Sequence, residues 1–262
     1  MRNAVKGSTR GLIFGTLAVS LLSGPAFAQK PAVIDPKAQE MLKRSAATYA
    51  ALHSYSCEAK IDKKVSFVPG VEATRIKLAL QSPNQAAITL SERGETVQYF
   101  TEGNHLFVYS PNTNQFMQEE NRMPPGQPKI TPVLNRGAAF AALVLLEPTI
   151  LTNFASTIDA KSLTLGSVEI YNGIAVRTIT EETKRLTSGR TLYQLTIGVK
   201  NHLIYRYNYI IQNPKDPAMG VNSQTEIDSS ETYTNIQVNP VLPPAMFLPP
   251  AGAKKITNTE TK

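Results

Sequence analysis

Between Asp35 and His53 the apolar and small residues return every three or four positions, at Ala38, Met41, Leu42, Ser45, Ala46, Tyr49 and Leu52. That spacing lines them along one side of a helix of about five turns, with Lys37, Glu40, Lys43 and Arg44 largely on the other side. Asp35 can accept from the free N–H groups of the first turn, and Pro36 suits the first helical position. At Ser54 the period drops to two. Tyr55, Cys57, Ala59 and Ile61 alternate with Ser56, Glu58, Lys60 and Asp62, and Thr74, Ile76, Leu78 and Leu80 alternate with Arg75, Lys77 and Ala79. Shorter runs follow at Ile88 and Leu90, Val97 to Phe100, Leu106 to Tyr109 and Phe116 to Glu119. Glu102-Gly103-Asn104 and Pro111-Asn112-Thr113-Asn114 supply turns between them, so an antiparallel meander of six strands is predicted.

The middle of the chain breaks this rhythm. Asn121 to Pro132 carries four prolines and a glycine and reads as an irregular connection. Leu134 to Leu146 is apolar almost all round, which predicts a buried helix or a helix laid over a hydrophobic opening. Its nine consecutive apolar residues, Ala138 to Leu146, are too few for a membrane span. Pro148 ends it, and Thr149 to Phe154 predicts a second short helix. Strands then resume. Leu163 to Tyr171 meets Ile174 to Glu181 across Asn172-Gly173, a strong hairpin signal. Arg190 to Ile197 and Leu203 to Gln212 form a second pair, the latter with Tyr205, Tyr207 and Tyr209 on one face, as a wall of the core or, alternatively, as hydroxyls for a lipid head group. Asn213 to Pro217 is a loop, and a last strand falls within Val221 to Val238. Gln29 to Ile34 reads as a short disordered lead, and the Pro-rich end from Asn239 as an extended, partly mobile tail.

The first 28 residues have a different character. Arg2, Lys6 and Arg10 precede an apolar stretch from Gly11 to Leu22, and Ala26-Phe27-Ala28 offers a small-x-small cleavage pattern. These features predict a cleaved export signal over residues 1–28 and a soluble periplasmic protein starting at Gln29. Residues 29–250 form one domain, and residues 251–262 a flexible tail. The formal charge is +7, and removal of the signal's three cations leaves about +4. The remaining Lys and Arg are scattered, which argues against nucleic acid as a partner. The single cysteine, Cys57, cannot form a disulfide within the chain. Its place in a strand predicts a small buried hydrophobe.

Several local sequences taken together resemble the periplasmic lipoprotein-carrier (LolA/LolB-like) superfamily. They are the opening helix running into Leu52-His53-Ser54-Tyr55-Ser56, the block Ser82-Pro83-Asn84-Gln85, and Glu102 to Tyr109 with the trailing Phe116. Tyr233-Thr234-Asn235-Ile236 follows, then Phe247 and its prolines. The resemblance implies an α+β fold: a strongly curved antiparallel half-barrel, here of about 11 strands, with an N-terminal helix and a central helical lid. It also implies an apolar concavity that takes up acyl chains. Where the carriers have an Arg-Pro pair this chain has Ser82-Pro83. The carriers' buried lid arginine has only Arg75 as a positional counterpart, so the resemblance is to a periplasmic branch beside the dedicated carriers.

Chemistry in the residues themselves is sparse. His53, His105 and His202 have no metal-ligand spacing, and the neighbours Glu119-Glu120 and Glu181-Glu182 diverge on their strands as solvated charge. No nucleophile elbow or phosphate loop occurs. A non-enzymatic protein without cofactor or metal is expected, binding an acyl chain, lipid or lipidated protein, with a membrane partner left open. The expected cavity and lid residues are Leu78, Leu80, Ile88, Leu106, Val108, Phe140, Leu143, Val144, Ile150, Phe154, Ile170, Val176, Leu195 and Tyr207. The alternative is an envelope-stress sensor or protein-interaction module on the same fold without lipid transfer.

Overall fold

The computed structural model describes residues 32–66, 68–81, 85–120, 140–154, 160–184, 189–214 and 225–257. The predicted export signal, Ser82-Pro83-Asn84, the proline-rich connection, the first six residues of the central insert and most of the loop after Asn213 lie outside them. The opening helix α1 spans Pro36–Ala50. Asp35 Oδ1 accepts from the Lys37 N–H at 2.8 Å, closing the first turn as its side chain predicts. The buried residues of α1 are Ala38, Met41, Leu42, Ser45, Ala46 and Tyr49, the stripe set by the sequence period.

Two antiparallel meanders follow. The first runs β2 Ser54–Val65, β3 Glu72–Gln81, β4 Gln85–Glu92, β5 Glu95–Glu102, β6 His105–Ser110 and β7 Gln115–Glu120. Two short helices, α2 Phe140–Leu146 and α3 Thr149–Thr152, separate it from β8 Ala160–Tyr171, β9 Ile174–Lys184, β10 Arg190–Gly198, β11 Ile204–Asn213 and β12 Thr225–Val238. β12 returns to pair with β2, so these eleven strands form one continuous antiparallel sheet. The turn at Asn172-Gly173 is as expected, with φ of 50° and 78°, a conformation that glycine adopts without steric cost.

The chain ends extend the sheet to thirteen strands and overturn two expectations. Val33–Ile34 is not a disordered lead but β1, which pairs in parallel with Ser162 and Leu163 of β8. The tail is ordered over part of its length. Pro244–Phe247 makes a 3-10 turn against β4 and β5 with Phe247 fully buried, and Lys254–Ile256 is β13, parallel to Gln115–Met117 of β7. Both additions are backbone pairings at open sheet edges, which side-chain periodicity does not encode. The sheet remains open and curved, with β1 and β13 at its two edges.

Its two faces are covered differently. α1, α2 and α3 share a core cluster with Tyr55, Cys57, Ile76, Leu78, Ile88, Leu195 and Tyr233. A smaller cluster of Phe100, Phe107 and Tyr109, with Phe116 and Ala253 against it, uses the alternate positions of β5 and β6.

Candidate functional site

On β12 the residues Ile227, Ser229, Glu231 and Tyr233 point to one face by the strand period. Glu231 lies opposite Tyr207 of β11 and Ile61 of β2. It therefore stands among core residues and is only 6% exposed. The central insert docks onto it. The Phe140 N–H donates to Glu231 Oε2 at 2.7 Å, and the Ala141 N–H donates to the Tyr233 hydroxyl at 3.2 Å. That hydroxyl in turn donates to Glu231 Oε2. Two N–H groups at the start of α2, which have no partner within the helix, are thus met by side chains of the sheet. Burial pushes the Glu231 carboxyl up to about 7, against the hydrogen bonds from Tyr233 and Phe140, which favour its charged form.

Aromatic packing continues this attachment. The Phe140 ring stacks on Tyr207 at 4.0 Å between centroids and 15° between planes. Phe154, just beyond α3, sets its edge against Phe140 at 6.3 Å and Tyr193 at 6.1 Å. α1 is tied to the same half of the sheet. Ser45 Oγ donates to the His202 carbonyl at 2.7 Å, and the Tyr49 hydroxyl accepts from the Ile204 N–H at 3.1 Å.

The expected cavity and lid residues fall into three groups. Leu78, Leu80, Ile88, Leu106, Phe140, Val144, Val176 and Leu195 are buried in one cluster. Val108, Leu143, Ile150, Phe154 and Tyr207 pack against that cluster but stay half-buried, as do Tyr99, Leu145 and Leu146. Ile170 does not join them. It is 73% exposed near the far end of β8, beside Val168 at 57%. The register of β8 shifts between Leu165 and Val168, so the inward alternation of its first half does not carry through to Ile170.

Two other expectations are corrected, those for Arg75 and Glu181. Arg75 is exposed, so it is no counterpart of a buried lid arginine; the insert is held by a carboxylate and a phenol instead. Glu181 is not solvated but 4% exposed, opposite Tyr193 on β10. His202 is half-buried, with its Nδ1 buried and without a hydrogen-bond partner. Glu231 itself escaped the sequence reading. The available signal was its alternation with Ile227 and Tyr233, which sets an acidic residue on an inward face. Cys57 is buried as expected, and burial pushes its thiol up to about 12, so it is protonated at neutral pH. Tyr205 is buried as part of the core, and Tyr207 and Tyr209 lie 6.1 Å apart between ring centroids. Among the described residues no three His, Cys, Asp or Glu side chains are grouped to hold a metal ion.

A single open sheet, antiparallel apart from its two short edge strands, with helices anchored over one apolar face, defines an architecture rather than any one reaction. The chain belongs to a family described as predicted periplasmic protein (DUF2092), which it matches over residues 38–258. This places it in the periplasm, the compartment that the first 28 residues also point to. No helix among the described residues is long and apolar enough to cross a membrane. No curated protein matches the chain. Among solved structures, it is similar to the Mycobacterium tuberculosis lipoprotein LppX at 14% identity and a TM-score of 0.47, covering 80% of this chain and 98% of that one. It is also similar to the LolA superfamily protein NE2245 from Nitrosomonas europaea, at 14% identity and a TM-score of 0.32, over 80% and 97% of the two chains. A third similarity is to the Pseudomonas aeruginosa MucA/MucB complex, at 12% identity and a TM-score of 0.42, over 84% and 64%.

Proposed function

We propose that this protein binds and carries an acyl chain, belonging to a lipid or a lipidated protein, between the helix-bearing face of the half-barrel and the α2–α3 lid, and does so without catalysis. The observation that carries this reading is incomplete burial in the middle of an apolar face. Leu143, Leu146, Ile150 and Phe154 from the insert, and Tyr99, Val108 and Tyr207 from the sheet, all touch the core yet remain half-buried. An acyl chain seated among them would gain about 0.8 kcal/mol per buried CH₂, enough over a long chain to offset separation of a small lid. The anchoring of α2 through side chains of β12, not through continuous sheet, leaves the lid a separable element. Native mass spectrometry of the protein purified from periplasm, together with uptake of a fluorescent fatty acid, tests the proposal. A co-purifying lipid and saturable uptake are expected; protein free of lipid that takes up no fatty acid would refute it.

A second reading, a protein-interaction module, has one observation in its favour. Among the described residues β1 pairs only with Ser162 and Leu163, so the rest of β8 is paired there with β9 alone and carries exposed Val168 and Ile170. Such an edge can accept a strand from another protein. Capture of a membrane regulator by the purified protein, without lipid uptake, would favour this reading over the first.

A further inference from the structure

A cleft of about 370 Å³ opens between α1 and the β8–β9 hairpin. Its floor is apolar, from Met41, Leu165 and Val199, and Met41 and Leu165 also belong to or pack on the core cluster beneath the helices. Its rim is basic. Lys37 and Arg44 are exposed and border Met41 at the edge of the buried stripe of α1, at spacings of four and three residues from it, and Arg177 lines the cleft from β9. Glu40 is the one carboxylate of the lining, and it is engaged by Arg44 Nε at 2.9 Å.

The position of Arg177 is fixed by the backbone. The register of β8 shifts between Leu165 and Val168, and Gly166 in that bulge offers its carbonyl to Arg177 Nε at 2.8 Å. A Cβ at Gly166 would lie 3.2 Å from the Thr178 carbonyl oxygen, so the close approach of β8 to β9 here suits glycine. The guanidinium is thus oriented before any ligand arrives, which lowers the cost of ordering it on binding. His202 lines the same cleft in a left-handed backbone conformation, φ 55°. Three cations over an apolar floor, with one engaged carboxylate, match a ligand that is negative at one end and oily at the other.

We infer that this cleft holds the oxyanion head group, carboxylate or phosphate, of a single-headed amphiphile, with Lys37, Arg44 and Arg177 around the head and the chain leaving over Met41 and Leu165. The inference rests on the acyl-binding reading and adds the charge of the ligand to it. The cleft's size is within the range of small-ligand sites, and its floor is continuous with the core cluster on which the lid packs.

Calorimetric titration of the mature protein with dodecanoate, dodecyl phosphate and dodecanol, the anions below their micellar concentrations and the alcohol below its solubility limit, tests it. At least one of the two anions should bind tenfold or more tighter than the alcohol, and the preference should shrink as salt is raised. The stronger anion identifies the head group. Lys37→Gln, on the exposed face of α1, and Arg177→Lys, which keeps the charge but loses the fork, should each reduce the anion's advantage over dodecanol severalfold. Equal binding of anions and alcohol would overturn the head-group site and leave the acyl-binding reading intact. Binding of none of the three would overturn both. An anion preference that survives Lys37→Gln and Arg177→Lys unchanged would also overturn this site.

Discussion

The backbone N–H of Phe140 meets Glu231 Oε2 at 2.7 Å across 91 residues of chain. This bond, with the Tyr233 hydroxyl beside it, joins the central insert to a strand near the end of the domain. The carboxyl is buried, and burial raises its pKa from an ordinary 4.5 to about 7. The proton can sit on Oε1 while Oε2 keeps both hydrogen bonds.

A pH dependence with a definite sign follows. Because the folded-state value is raised, the folded protein holds a proton that the unfolded chain releases above pH 4.5. The contribution of Glu231 to stability is fully present below that value and is lost as pH rises through about 7, amounting to about 3 kcal/mol over the window. Chemical denaturation between pH 5 and pH 8 should show this decline. Glu231→Gln keeps an acceptor for the Phe140 N–H but does not titrate, so its stability should stay nearly flat over the same range. A parallel decline in both proteins would assign the effect to other groups.

Ionisation of Glu231 should also act locally. Above pH 7 a charge stands beneath the start of α2, and water reaching it would relieve the cost of burial. Hydrogen exchange at the Phe140 and Ala141 amides should therefore accelerate from pH 6 to pH 8 beyond the intrinsic increase with hydroxide. Amides in the centre of β3, which exchange through global unfolding, should exceed the intrinsic increase by no more than the fall in overall stability accounts for.

Tyr233 serves the same junction from the neighbouring inward position. Tyr233→Phe removes the donor to Glu231 and leaves the Ala141 N–H without its acceptor. The expected loss is about 1–3 kcal/mol, the range for stranding a buried polar group. Thermal unfolding would measure it. A change below about 0.5 kcal/mol would show that water replaces the hydroxyl and that the junction is wetter than its burial indicates.

The parts of this architecture readable from the chain were those whose signal is local. Alternation gave β2 and β3, Asn172-Gly173 gave the β8–β9 turn, and the stripe from Ala38 to Tyr49 gave α1. The pairings of Val33–Ile34 and Lys254–Ile256 were not readable, because short edge strands are chosen by a neighbouring backbone and their side chains stay largely exposed. The Glu231 junction was hidden for a different reason. Within Ser-Ser-Glu-Thr-Tyr an acidic residue looks solvated, and only the arrival of an insert from 91 positions away makes it a buried acceptor. Ile170 shows the converse error: the register of β8 shifts between Leu165 and Val168, and beyond that shift Val168 and Ile170 are left exposed.

Phe140→Ala should separate lid packing from the rest of the fold. The substitution deletes the stack on Tyr207 and the edge contact with Phe154, and a buried Phe→Ala costs about 3–5 kcal/mol where the site cannot collapse. Part of that loss should appear as local release of α2. Fatty-acid uptake should then become faster, while retention in a wash-out experiment becomes shorter. Slower uptake by a fully folded variant would mean that Phe140 belongs to the ligand's own contact surface.

Ile170→Ala provides the matching control. Ile170 is 73% exposed, and its Cα partner on β9 is Ala175, near the hairpin turn. Its truncation removes little buried surface, so stability should stay within about 0.5 kcal/mol of the parent. Fatty-acid uptake should be unchanged, in contrast to Leu143→Ala, which removes a half-buried lid side chain and should weaken retention. If Ile170→Ala instead abolishes capture of a protein partner while uptake persists, the exposed length of β8 is a separate docking edge. Loss of uptake by Ile170→Ala would extend the acyl path to the far end of the hairpin, well beyond the lid.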